Sequence, residues 1–133
     1  MSFQIHALPA KPFAPLFALS DDELRARGIR RVLADGRPVY PCRVSLQDAI
    51  GGQHLLLLPH EHHNVDTPYR ASGPVYVREA ATQAQPEIDE IPTFLRTRLL
   101  SLRAYDARGM MMWAEVVDGA QAAPHLKVDV QDL

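Results

Sequence analysis

The segment "HEHHNVDTPYRASGP", residues 60–74, holds three of the six histidines of the chain beside two carboxylates, a tyrosine and an arginine. Three kinds of chemistry could use these side chains: metal binding, nucleophilic catalysis and recognition of an anion. A polar loop without any chemistry would have the same composition. The spacing of the residues favours some of these interpretations over others.

A metal site would use His60 and His62, which point to one face of a strand, with Asp66 as the third ligand. These residues and the later Gly73 approximate the first motif of cupins, but the carboxylate is Asp rather than Glu and no second motif follows. "HEHHN" also departs from the metalloprotease pattern H-E-x-x-H, because Asn64 replaces the second histidine. The sequence therefore predicts no metal and no cofactor, and a cupin-like metal-dependent enzyme is the weakest alternative.

A nucleophile would be Cys42, the single cysteine, with His62 or His63 as its base. A cysteine inside an apolar strand is more often a small buried residue. Ser72 lacks the pattern G-x-S-x-G, because Arg70 stands where the first glycine belongs. No catalytic residue is assigned, and whether the protein is an enzyme stays open.

An anion pocket is the most economical hypothesis, because the fork of an arginine matches a carboxylate or a phosphate. Arginines lie in or beside four strand-like segments, at Arg43, Arg70, Arg78 and Arg103. A solvated face, or ion pairs with acids such as Asp66, Glu79 and Asp106, would give the same pattern. The predicted ligand-binding residues are Arg70, Tyr69, Ser72, His62, Arg43 and Arg78.

The elements that would position these residues are short. Ser20 and Glu23 have capping-box spacing, and Gly28 follows, so a helix is predicted from Asp21 to Arg27. Single helical turns are predicted where Ser45 precedes Asp48 and in "TFLRTR". Apolar or alternating segments predict seven strands, at residues 3–9, 29–35, 40–46, 54–59, 73–79, 99–105 and 110–117.

Two connections have their own signals. "DARG" between the last two strands predicts a hairpin with Gly109 at a positive φ. In "MMMWAEV" after this turn, apolar residues occupy both faces, which is typical of a core strand, with a hydrophobic partner groove as the alternative. Residues 60–74 are predicted to connect two strands, with a backbone set by Pro68, Gly73 and Pro74.

Length and composition limit the class of protein. A chain of 133 residues with 47% hydrophobic content predicts one domain over residues 1–133, of α+β class, with two or three short helices. The sheet is expected to be curved and mostly antiparallel, either open or partly closed into a barrel. A net charge of -2 disfavours nucleic acid. No membrane partner is expected, because apolar runs such as "LLLL" at 55–58 are far too short to span a bilayer. The absence of a signal-like segment and the single cysteine predict a bacterial, cytoplasmic protein, and the oligomeric state is left open.

Four ordered blocks carry a resemblance to a bacterial family, domain of unknown function 1203, over roughly residues 3–118: "LFALSDDELRARGIRRVLAD", "YPCRVSLQDA", "HHNVDTPYRASGPVYVRE" and "LLSLRAYDARGMM". The resemblance implies no reaction. Chains of that family continue through a helix and a strand, whereas residues 119–133 look truncated or divergent. The resulting hypothesis is a pocket for a small anionic molecule, used for binding or catalysis, with a structural or interaction module as the alternative.

Overall fold

The computed structural model describes residues 2–127 of the chain. Their contacts form two compact units. The first unit comprises residues 2–5, 61–72 and 86–127, and the second comprises residues 6–60 and 73–85. No helix within the described residues has the length and apolar composition needed to cross a bilayer.

Seven strands are described: β1 Arg30–Leu33, β2 Pro41–Cys42, β3 Gln47–Asp48, β4 His54–His63, β5 Ala71–Arg78, β6 Leu99–Tyr105 and β7 Met111–Asp118. Three short α-helices accompany them: α1 Asp21–Ala26, α2 Thr93–Arg96 and α3 Ala123–Leu126. Two 3-10 segments span Ala14–Ala18 and Gly119–Gln121. The predicted α+β class is confirmed.

The first five strands form one sheet in the order β1-β4-β5-β2-β3, and β6 and β7 form a second sheet. β1 pairs with β4 and β2 with β3 in antiparallel fashion, whereas β2 pairs with β5 in parallel. The larger sheet is open, since β1 and β3 are its edges. Of the two shapes expected for the sheet, the open one is found.

The core of the second unit is built around β4. Leu55 and Leu56 are both fully buried, but they belong to different clusters because successive strand residues face opposite ways. Leu56 packs with Leu24, Cys42, Val44 and other residues, and Leu55 packs with Tyr40 and two alanines. Burying a leucine contributes about 1.5–3 kcal/mol, so the run "LLLL" stabilises both clusters.

Helix α1 begins and ends where its sequence signals predict. The Ser20 side chain accepts a hydrogen bond from the Glu23 amide at 3.1 Å, and the Glu23 side chain accepts one from the Ser20 amide. Gly28 has a φ of +75°, the left-handed conformation that follows many helix ends. The helix ends one residue before the predicted Arg27.

The first unit contains the predicted hairpin. Strands β6 and β7 pair in antiparallel fashion, and Gly109 after the turn has a φ of +82°. The inner face of the hairpin presents Leu100, Leu102 and Val117 to a cluster that also contains Phe3, Ile5, Ile91, Leu95, Ala122 and Leu126.

Two of the predicted elements at the start of the chain were wrong. Residues 3–9 form no strand, although Phe3, Ile5 and Ala7 alternate in burial with the exposed Gln4 and His6. Ser45 and Asp48 do not begin a helical turn, because Gln47 and Asp48 form β3 and pair back to β2. Leu46 between the two strands has a φ of +54°, which produces this tight reversal.

The predicted connection between two strands is shorter than residues 60–74, so its predicted bounds were wrong. His60–His63 continue β4 and the four residues from Ala71 begin β5, so that the connection is residues 64–70. Gly73 and Pro74 therefore lie in a strand rather than in the loop.

The prediction that "MMMWAEV" is buried on most of both sides was also wrong. Met112 and Val116 are exposed, as is Ala114 between them, whereas Met111 and Trp113 are half-buried. The two faces of a strand need separate partners, and in the described chain only one face of β7 has packed.

Candidate functional site

Arg70, the centre of the predicted site, lies in the first unit and is ion-paired. Its Nη2 atom is 3.1 Å from Oε1 of Glu61, and the two side chains are 60% and 35% exposed. The partner is therefore Glu61, rather than Asp66 or Glu79. An exposed pair of this kind contributes about 0–1 kcal/mol.

The neighbours of Arg70 in the predicted site are solvent-accessible. His62 at the end of β4, Tyr69 in the connection and Ser72 in β5 are all exposed. The Tyr69 amide donates a 3.1 Å hydrogen bond to Oγ1 of Thr67, which fixes the local backbone. These residues present polar groups, but none of them is held in a buried position.

His63 has a defined environment that the sequence did not predict. Its ring stacks on the ring of Tyr105 with centroids 3.6 Å apart and an angle of 26°. Its Nε2 atom lies 3.0 Å from the carbonyl oxygen of Gly109, so the Nε2 proton is donated to that oxygen. Thr67 donates to the same carbonyl at 3.3 Å. The histidine holds the loop of residues 64–70 to the turn of the hairpin.

The histidines of this segment do not form a metal centre among residues 2–127. Within that range no three His, Cys, Asp or Glu side chains come together as a group able to hold an ion. His60, His62 and Asp66 are therefore not gathered as a cupin-like motif would require.

Cys42 is fully buried in the core of the second unit. Its Sγ atom accepts backbone hydrogen bonds from Ser45 at 3.4 Å and from Arg78 at 3.3 Å. A catalytic thiol must reach a substrate, so this position supports the interpretation of Cys42 as a packing residue.

The second unit contains a small pocket with Arg78 in its wall. The pocket has a volume of about 40 Å³ and is partly open to solvent. It is lined by Ala10, Phe13, Ala14, Phe17, Val44, Val77, Arg78, Ala80 and Ala81. Arg78 is half-buried, and its guanidinium makes no hydrogen bond or ion pair with another residue of the described chain. Arg78 is thus the one charged residue among the residues that line this pocket.

Arg43, the other predicted arginine of the second unit, is exposed and does not line this pocket. Its amide donates a 3.0 Å hydrogen bond to the carbonyl of Tyr76, next to the register pair of Cys42 and Tyr76. The six predicted residues are thus divided, with Arg43 and Arg78 in the second unit and the other four in the first.

The aromatic wall of the pocket was not predicted. It comes from Phe13 and Phe17, which precede and lie within the 3-10 segment of Ala14–Ala18. Their i, i+4 spacing in "KPFAPLFAL" is only a weak signal, because such residues share one face of an α-helix but lie about 120° apart in a 3-10 segment. Pro12 and Pro15 obscured it.

Among residues 2–127, two carboxyl groups have shifted pKa values, and both lie in turns. The pKa of Asp35 is lowered by a hydrogen bond from the Arg37 amide, and the side chain of Arg37 contributes to the same effect. The pKa of Asp106 is lowered chiefly by the Met110 amide. Backbone hydrogen bonds to a carboxylate favour its charged form, so these shifts reflect turn geometry.

The fold is an α+β arrangement with an open, mixed sheet, and its second unit has an apolar pocket beside one arginine. A family model described as "Protein of unknown function (DUF1203)" matches residues 39–132. That range is more than half of the chain, and the protein belongs to this family. The match begins later than residue 3 and continues past residue 118, so it includes most of the tail that looked divergent. Neither the curated proteins nor the solved structures gave a match.

Proposed function

We propose that the protein binds a small aliphatic carboxylate in the pocket of its second unit. The observation that carries this proposal is Arg78, a half-buried residue in the wall of an apolar pocket whose side chain has no carboxylate partner among the described residues. A buried or partly buried charge is normally paired, and a ligand anion would supply the pair.

The size of the pocket limits the ligand. The volume of about 40 Å³ open to the centres of water molecules has room for about three waters, at roughly 10–15 Å³ for each. Only a short alkyl group can therefore enter between Phe13, Phe17 and Val77. The carboxylate would remain at the mouth, where the arginine fork can donate two parallel hydrogen bonds to it. Acetate, propionate and butyrate have this combination of one charge and a short tail.

The predicted ligand-binding residues around Arg70 support a ligand less well. Its guanidinium already has Glu61 as a partner, and the side chains of Tyr69, Ser72 and His62 are exposed. An anion would have to compete with that carboxylate. The proposed ligand is therefore still an anion that Arg78 binds, as the sequence predicts. The proposed site lies in the second unit rather than around Arg70.

The test is a titration of the isotope-labelled full chain with butyrate, followed by NMR. We expect amide shifts at Val44, Val77 and Ala81, and weaker shifts with butyramide, which has the same shape without the charge. In Arg78→Ala the dissociation constant should rise by about 10- to 100-fold, which corresponds to about 1.5–3 kcal/mol for a hydrogen bond to a charged group. Arg78→Lys should recover part of the affinity, because an ammonium lacks the planar fork.

Two further variants make this test specific. Arg43→Ala is the matched control, since Arg43 is exposed and lies outside the pocket. Its affinity for butyrate should equal that of the wild type. Ala14→Leu places a larger side chain at an exposed wall position and should block the tail while the fold persists. Shifts that are absent in the wild type, or unchanged in Arg78→Ala, would rule the site out.

We also infer that the protein acts in the bacterial cytoplasm. The support is the single cysteine, which is free and buried, as is usual where thiols stay reduced.

A further inference from the structure

The hairpin of β6 and β7 exposes one face from the pair of Leu99 and Asp118 to the pair of Arg103 and Ala114. We call it the outer face, and its side chains include those of Leu99, Ser101, Arg103, Met112, Val116 and Asp118, all exposed. Leu99 is 76% exposed, Val116 64% and Met112 45%. Scattered apolar residues are normal on a surface, but a face of this kind on one hairpin is typical of an interaction site.

The charges of the outer face lie toward its two ends. Arg103 pairs with Ala114 near the turn, and Asp118 pairs with Leu99 at the open end of the hairpin. The two pairs are four residues apart along β6, which is about 13 Å at 3.3 Å per residue. Arg103 makes no hydrogen bond or ion pair with another described residue. Asp118 uses one carboxylate oxygen to accept from the Ala120 amide at 3.0 Å.

This distribution makes the face complementary to itself. The pair of Ser101 and Val116 lies midway between the two charged ends. A two-fold axis across the strands at this pair would place the Arg103 end of one copy opposite the Asp118 end of the other. Both ends would then pair at once, as in an isologous dimer. The apolar side chains would pack between sheets about 10 Å apart, the usual spacing of stacked sheets.

We propose that the outer face is a homodimer interface of low affinity. The hairpin is about 23 Å long at 3.3 Å per residue and about 10 Å wide for two strands. A face of this size buries less than the roughly 800 Å² per partner of a standard stable interface. The dimer therefore forms at high protein concentration and dissociates on dilution.

The experiment is sedimentation velocity on the full chain over a range of concentrations. We expect the wild type to shift from monomer to dimer as its concentration rises. Val116→Glu should raise the dissociation constant by at least about tenfold, because it buries an unpaired charge. Ile88→Glu is the matched control, since Ile88 is also 64% exposed but lies outside the hairpin. It should dimerise like the wild type.

A charge exchange tests the two-fold arrangement. Arg103→Glu alone and Asp118→Lys alone should each weaken the dimer, and the double variant should restore it. Circular dichroism on each variant verifies that the hairpin is still folded. A wild type that stays monomeric throughout, as expected if a different protein occupies the face, would overturn the proposal. A dimer that still forms in Val116→Glu would also overturn it. So would a double variant whose dimer affinity stays as low as that of the single variants.

Discussion

At the scale of single residues, the histidines of the segment 60–74 differ because of their surroundings rather than their chemistry. His62 and His63 are adjacent in β4, so their side chains point in opposite directions. His62 is exposed, and His63 is half-buried against Tyr105. His63 has a structural role, because its ring is hydrogen-bonded to the turn of the hairpin and stacked on the ring of Tyr105.

His63→Ala should therefore destabilise the protein, and His62→Ala should not. The stacked ring pair contributes about 0.5–1.5 kcal/mol beyond its buried area, and a neutral hydrogen bond contributes about 0.5–1.5 kcal/mol. We expect a loss of about 1–3 kcal/mol for His63→Ala in urea unfolding, against about 0.5 kcal/mol or less for His62→Ala. His63→Phe should recover the stacking part only. Equal losses for the two alanine variants would contradict the structural role.

Asp106 gives the hairpin a dependence on pH. Its Oδ1 atom accepts backbone hydrogen bonds from Arg108 at 2.8 Å and from Met110 at 3.0 Å. These bonds, led by that of Met110, lower the pKa of Asp106 below its usual value of 3.8. The folded state thus binds this proton less readily than the unfolded state. The stabilisation is complete above the unfolded pKa and is lost as the pH falls through the folded pKa.

Acid titration of the melting temperature checks this linkage. The wild type should lose stability as the pH falls below about 4, and Asp106→Asn should lose less over the same range. Asp22→Asn is the control, since Asp22 is exposed and its ion pair with Arg25 is 3.9 Å long. Its acid dependence should match that of the wild type. Parallel curves for Asp106→Asn and the wild type would show that the turn carboxylate has no part in acid unfolding.

At the scale of elements, the β6–β7 hairpin depends on the absence of a side chain at Gly109. Its φ of +82° is unfavourable for other residues. A Cβ atom at this position would also lie 2.6 Å from Cγ1 of Val65, in the loop that His63 holds. Glycine is therefore favoured at position 109 both by the positive φ and by the packing against Val65.

Comparison of Gly109→Ala with Gly52→Ala separates the cost of backbone strain from the cost of the contact with Val65. Gly52 has a φ of +89°, and a Cβ atom added there would have no other residue within 4 Å, so its variant tests backbone strain alone. We expect Gly52→Ala to cost about 1–2 kcal/mol and Gly109→Ala about 1–3 kcal/mol more, the range for overpacking. Thermal and urea unfolding measure both. If the two variants lose the same stability, the contact with Val65 relaxes without cost.

At the scale of the whole molecule, the two units are interleaved in sequence. The chain passes from one unit to the other at residues 5/6, 60/61, 72/73 and 85/86. The first unit therefore joins residues from both ends of the described chain. Phe3 and Asp89 show this most directly, because each donates its amide to the other residue, at 3.0 Å to Oδ1 of Asp89 and at 2.8 Å to the carbonyl of Phe3. Contacts of such high sequence separation slow folding.

Asp89→Ala should weaken this junction. It removes one hydrogen bond worth about 0.5–1.5 kcal/mol and leaves alanine at a φ of +63°, which aspartate and asparagine tolerate better. The melting temperature should fall, and the refolding rate should fall with it if the contact forms early. Asp89→Asn keeps the acceptor and should resemble the wild type. Glu87→Ala provides a control from the same loop, and an equal effect there would argue against a specific role for Asp89.

The features that depend on residues close together in the chain can be predicted from the sequence. The capping box of α1, the left-handed Gly28 and Gly109, the strand β4 and the β6–β7 turn all follow from side chains within a few positions of one another. Local rules also gave the class of fold and the candidate residues, including Arg78. They failed at residues 3–9, where the alternation was correct but no single neighbouring strand was available to pair with. They failed again at Ser45, whose capping pattern competes with the pairing of β2 and β3.

The contacts of each candidate residue depend on the three-dimensional fold and could not be predicted from the sequence. Nothing local indicates that Arg70 pairs with Glu61, that His63 stacks on Tyr105, or that Arg78 lies beside Phe13 and Phe17. These contacts join positions that are 9 to 65 residues apart in the chain, and their geometry depends on how strands are ordered in the sheet. The exposure of Met112 and Val116 also depends on how the elements of the fold pack. An alternating pattern specifies two faces, but the packing of the other elements determines which face is covered.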